Sequence, residues 1–66
     1  MGQLFDLKQK IEGIIESKNL DAVKTKGQIG LKAGLMLAFI NAGTPDDKDK
    51  LEKVRAAAKE VLNVSL

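Results

Sequence analysis

Residues 29–42 of this chain, IGLKAGLMLAFINA, hold one charge, Lys32, and almost no other polar side chain. The run is too short to cross a bilayer, which takes roughly 20 apolar residues, so other protein must cover it. Read as a helix at 3.6 residues per turn, it carries two apolar faces. Ile29, Ala33, Met36, Leu37 and Ile40 form one, and Leu31, Leu35 and Phe39 form the other. A ridge of small residues at spacing four, Gly30, Gly34, Ala38 and Ala42, runs between them. An ordinary surface helix buries one stripe and wets the rest, so a helix with two apolar faces is central in its fold or doubles as an interface.

The size of the chain sharpens that choice. With 66 residues, one domain buries a modest share of its surface and keeps a thin stability margin unless a disulfide, a metal or another chain adds to it. There is no Cys and no His, which removes disulfides, thiol chemistry, the usual zinc sites and histidine acid-base catalysis. A Cys-free chain fits a reducing compartment, and a cytoplasmic location is the expectation. Eleven basic and nine acidic residues leave a net charge of +2, too mild to imply nucleic acid or an acidic membrane by itself. Oligomerisation or docking on a partner is then the remaining support for a small core.

The start, MGQLFDLKQK, has Asp6 within it and no continuous apolar stretch, so no signal peptide is expected. Met1-Gly2 opens a myristoylation pattern, but Asp6 stands where that pattern wants Ser or Thr.

Three helices are predicted, over about residues 3–18, 26–42 and 45–63, in a single helical domain spanning 1–66. Leu4, Leu7, Ile11 and Ile14, at spacings of three and four, give the first a core stripe flanked by Phe5 and Ile15. Gly13 points away from that stripe and softens the helix. The connection holds Asn19, suited to ending the first helix, and Asp21, suited to capping a short turn. Leu20 and Val23 in this connection are candidates to fold back over the second face of the central helix. Thr25 and Gln28 have capping-box spacing, which starts that helix near Lys26. Gly43 then suits a left-handed stop, Thr44 an N-cap and Pro45 the first position of the third helix. The third stripe is Leu51, Val54, Ala58 and Val61, with Leu62 beside it.

A catalytic site needs a tuned acid, base or nucleophile with supporting groups. With His, Cys, Tyr and Trp all absent, no catalytic residue, cofactor or metal is expected. Asp46, Asp47 and Asp49 are explained as helix-start stabilisers, and they lack the alternating oxygen ligands of a calcium loop. Lys24, Lys26 and Gly27 stand at a helix N-terminus, a place that can bind anions, although the order of a nucleotide-binding P-loop is missing. Gly27-Gln28-Ile29-Gly30 satisfies a bare G-x-x-G without the strand and helices of a nucleic-acid clamp.

The fold expected is all-α, a small three-helix bundle with a central, largely apolar second helix. The function expected is a non-catalytic protein-interaction or self-association module acting through the apolar central helix, with the chain itself, as a homodimer, or another protein as partner. Its expected interface is Gly30, Leu31, Gly34, Leu35, Ala38 and Phe39, where small residues let two backbones approach and the large ones interdigitate. The alternative is a small helical nucleic-acid-binding domain using Lys24, Lys26 and Lys32. Against it stand an apolar second helix, acids at the start of the third, and only Phe5 and Phe39 as aromatic platforms.

Overall fold

The computed structural model describes residues 2–66, which form an all-α globule of three α-helices and one 3-10 turn, with no strand among them. Helix α1 is Gln3–Ser17, α2 is Ala22–Ala33, the 3-10 turn is Leu37–Phe39, and α3 is Lys48–Leu62. None of the described helices is long and apolar enough to cross a membrane.

α1 turns Leu4, Leu7, Ile11 and Ile15 inward. Ile15 therefore takes the last inner position that the spacing had assigned to Ile14, which packs half-buried beside the core. The helix stops where Asn19 adopts a left-handed φ of 56°. Leu20 N then donates back to Ile15 O at 3.0 Å, closing an end that would otherwise leave carbonyls unpaired. Lys18 Nζ reaches across to Leu62 O at 3.1 Å and so ties the end of α1 to the end of α3.

The second helix departs most from the sequence reading. Asp21 caps it through a bond from Lys24 N to its Oδ1 at 3.0 Å, so α2 begins at Ala22 rather than near Lys26. Thr25 lies buried inside it and is no cap. At its other end α2 stops at Ala33, and the continuous helix expected over 26–42 does not exist. Gly34 takes a left-handed φ of 75°, and Leu35 N donates to Gly30 O at 3.1 Å. A helix running on would hold Gly27, Gly30 and Gly34 in its interior, each costing about 1 kcal/mol relative to Ala. Placing Gly34 at the stop uses a left-handed conformation that glycine adopts without the penalty a Cβ would bring.

The chain beyond the stop still feeds the core. Ile29, Ala33, Leu37 and Ile40 are all buried although only the first two are in α2. Met36, assigned to the same face by helical spacing, is 60% exposed because its backbone is extended. They meet α1 and the α3 stripe of Leu51, Val54, Ala57, Ala58 and Leu62. α2 makes its most extensive packing against α3, where Ala57 and Ala58 present little bulk. Val61, expected on the stripe, is half-buried at its margin.

α3 starts at Lys48, three residues after Pro45, behind Asp47, whose Oδ1 accepts from Asp49 N at 2.9 Å and Lys50 N at 3.3 Å. Thr44 is no cap, because its Oγ1 accepts from Asn41 N at 2.9 Å inside the preceding loop. Gly43 is no left-handed stop either; it donates to Asn41 Oδ1 at 2.8 Å. Asp46 serves a different helix from the one its position suggests. Its Oδ1 accepts from Leu4 N at 3.1 Å, at the start of α1, where the N-cap Gly2 has no side chain to offer. A Cβ on Gly2 would stand 2.8 Å from that oxygen, so the glycine leaves room for a cap supplied from 42 residues along the chain.

Candidate interaction groove

The turn at Gly34 brings the chain back across the outer side of α2. Gly30 lies at the crossing, where an added Cβ would meet Leu35 O at 2.9 Å and Met36 Cα at 3.5 Å. Beside this contact runs an open groove of about 620 Å³, walled by Val23, Lys26, Gly27, Gly30 and Leu31 of α2 and by residues 34–38. Gly27 leaves space above α2, since nothing comes within 4 Å of where its Cβ would be. Large apolar side chains stand out around it: Val23 is 83% exposed, Leu31 86% and Phe39 73%. Single exposed leucines are normal on a protein surface, whereas several grouped at one concavity mark a binding place.

Five of the six residues expected at an interface, Gly30, Leu31, Gly34, Leu35 and Ala38, line this groove. They do so across a turn and not along one helix. The sixth, Phe39, is exposed but does not line it. Leu35 differs from Leu31 in kind, being half-buried and packed on the core. Val23, Met36 and Leu37 are lining residues that the helical reading placed elsewhere. Leu20 and Val23, expected to cover the second apolar face, remain exposed. Their position in a polar connection was the available signal, for an apolar side chain with no partner in its own helix periodicity has no assured place inside.

Of the candidate anion-binding residues Lys24, Lys26 and Gly27, the last two line the groove and Lys24 does not. Lys26 lines the groove but pairs with Glu12 of α1 at 3.0 Å, and Lys32 pairs with Glu60 of α3 at 3.0 Å. Lys24 makes no ion pair among the described residues, and its backbone N–H is taken by Asp21. Gly27 contributes open space rather than a helix-start N–H, because α2 begins five residues before it. Among the described residues no group of three or more His, Cys, Asp or Glu is placed to hold a metal ion. Asp46 and Asp47 are taken up in capping two different helices.

The fold and the groove together define, among the described residues, a small all-α globule with an exposed apolar concavity lined by glycines. Comparison with protein-family models, with curated proteins and with solved structures finds no match to this chain.

Proposed function

We propose that this chain is a non-catalytic protein-interaction module that receives an apolar helical segment in the groove on the outer side of α2. The observation that carries the reading is the grouping of Val23, Leu31 and Met36, all well exposed, around a floor of Gly27, Gly30 and Gly34. A helix laid in a groove buries a row of large side chains against small ones, and glycine lets the two backbones come close. The non-catalytic part rests on the side-chain inventory, with no His, Cys or Tyr to act as base or nucleophile. The lack of Cys also suits the cytoplasmic setting that belongs to this proposal.

Self-association through the same face is a second reading, favoured by the order Val23-Gly27-Leu31. Large, small and large at spacing four fit their own reverse, so two copies of α2 crossing antiparallel at Gly27 would oppose each Val23 to the other's Leu31.

Solution mass by light scattering over a wide concentration range, combined with uptake of an apolar fluorescent dye, tests both. The expected result is dye bound by the wild type and lost in Leu31→Glu at unchanged helicity. A doubled mass that Leu31→Glu halves establishes the second reading. A monomer that takes up no dye overturns both.

A further inference from the structure

The groove reading leaves the chemistry of the occupant open, and the distribution of charge narrows it. Residues 22–45 contain Lys24, Lys26 and Lys32 and no Asp or Glu, a formal +3; the rest of the chain holds eight basic and nine acidic residues, a formal −1 that completes the net +2. Val23, Leu31, Met36 and Phe39, four of the five exposed large hydrophobic residues, fall in that acid-free segment. The one charged side chain lining the groove is Lys26. The counter-charges come from outside the segment: Glu12 reaches Lys26 from α1 and Glu60 reaches Lys32 from α3. The side chains of the Lys32–Glu60 pair are 49% and 67% exposed, and such wet pairs exchange partners readily.

Building on the proposed function, we infer that the groove's occupant is an acidic amphipathic helix of another protein, with Leu-sized side chains on one face and carboxylates along its flanks. The apolar face fills the space over Gly27 and between Val23 and Leu31. The flanking carboxylates meet Lys24, which has no ion pair among the described residues, and take over Lys26 and Lys32 in exchange for Glu12 and Glu60. A second copy of this chain fits less well, because crossing two α2 helices at Gly27 brings Lys24 and Lys26 of both to one seam with no acid on either helix to receive them. A lipid surface fits less well for a geometric reason: a planar headgroup layer would meet the protruding side chains but leave the space over Gly27 unfilled.

The test uses the full chain and three labelled peptides about four turns long, identical in an apolar Leu face and flanked by Glu, Gln or Lys. Binding is followed by fluorescence anisotropy at low and moderate salt. The Glu peptide is expected to bind about tenfold tighter than the Gln peptide and to lose that advantage as salt rises. Lys24→Glu with Lys26→Glu should reverse the order of the Glu and Lys peptides. Gly27→Leu, whose Cβ would stand with nothing within 4 Å and whose side chain would occupy the groove, should abolish binding of all three, with helicity measured alongside to check that the fold is kept. Equal, Gly27→Leu-sensitive binding of all three peptides overturns the acidic partner and leaves the groove standing. No binding by any peptide overturns the inference, and the accompanying assays say what replaces it. A concentration-dependent dimer points to a second copy. Sedimentation with phosphatidylcholine vesicles carrying about a third phosphatidylserine points to a membrane. If no peptide binds and neither of these is seen, the groove reading falls as well.

Discussion

Ile29 and Leu31 stand two residues apart on the same helix with isomeric side chains, yet Ile29 is 0% exposed and Leu31 86%. Hydrophobicity does not separate them; the supply of neighbours does. α1 and α3 each bring one apolar stripe, and both stripes close on the side of α2 that carries Ile29 and Ala33. The other side receives only the short return of residues 34–38, which covers Gly30 and stops. A chain this small has three helices' worth of surface with which to cover its apolar side chains, and a second apolar face on α2 exceeds that supply. Hydrophobic residues left over in this way are a cost in solubility for an isolated monomer and an asset for a chain that docks on another.

The strongest way to break the comparison is to remove the buried member. Ile29→Ala should cost about 2 to 5 kcal/mol, a sum comparable with the whole margin of a domain this size, so thermal or denaturant melting should show a chain largely unfolded at room temperature. A loss below about 1 kcal/mol would mean that the inner side of α2 is no better covered than the outer.

Glycines on the two sides sharpen the same contrast. Gly30→Ala sets a methyl group 2.9 Å from Leu35 O, and backbone on both sides of that contact leaves little freedom to yield; about 1 to 3 kcal/mol of destabilisation is expected. Gly27→Ala meets nothing within 4 Å and should stabilise α2 by up to about 1 kcal/mol through helix propensity. Denaturant midpoints of the two variants should therefore move in opposite directions. Equal shifts would show that the return segment does not sit on Gly30 in solution.

Much of this architecture was legible in the chain. The stripes of α1 and α3 follow from Leu4-Leu7-Ile11 and from Leu51-Val54-Ala58, because an amphipathic helix with one face to bury has few other solutions. α2 was legible as a helix and misleading in its bounds, for it spans Ala22–Ala33 and much of the apolar run lies in the turn beyond it. Ile29, Ala33, Leu37 and Ile40 point inward both in a continuous helix and in a helix followed by a turn, so periodicity could not distinguish the two. Three glycines within eight residues were the sign that favoured the turn. Caps supplied from elsewhere were beyond any local reading: Asp46 looks like an acid in the first turn of the helix it precedes, and only the folded chain shows it on Leu4 N. Half of the ten groove residues were named by the sequence as interface, since Gly30, Leu31, Gly34, Leu35 and Ala38 are all there. The geometry that unites them is a chain reversal, which has no periodicity to read.

Asp46 carries a smaller prediction. Asp46→Ala removes the only side-chain cap among the described residues at the start of α1 and should cost about 0.5 to 2 kcal/mol, seen as a lower melting midpoint and faster hydrogen exchange at Leu4 than in the wild type. An unchanged melt and unchanged exchange would show that water serves that N–H as well as the carboxylate does.

The smallest effect is the most discriminating. Leu31→Ala takes away a side chain that already stands in water and replaces it with the best helix former, so stability should stay within about 0.5 kcal/mol of the wild type at every protein concentration. If the outer face of α2 is closed by a second copy, folding is linked to association and the same substitution lowers stability in a concentration-dependent way. Truncation at Leu31 thus separates a bare face awaiting a partner from a face already covered by the chain's own copy. Repeating the melt in the presence of the Glu-flanked helical peptide distinguishes the first case further: the wild type should be stabilised by bound peptide and Leu31→Ala less so, since only the wild type offers the leucine that the occupant packs against.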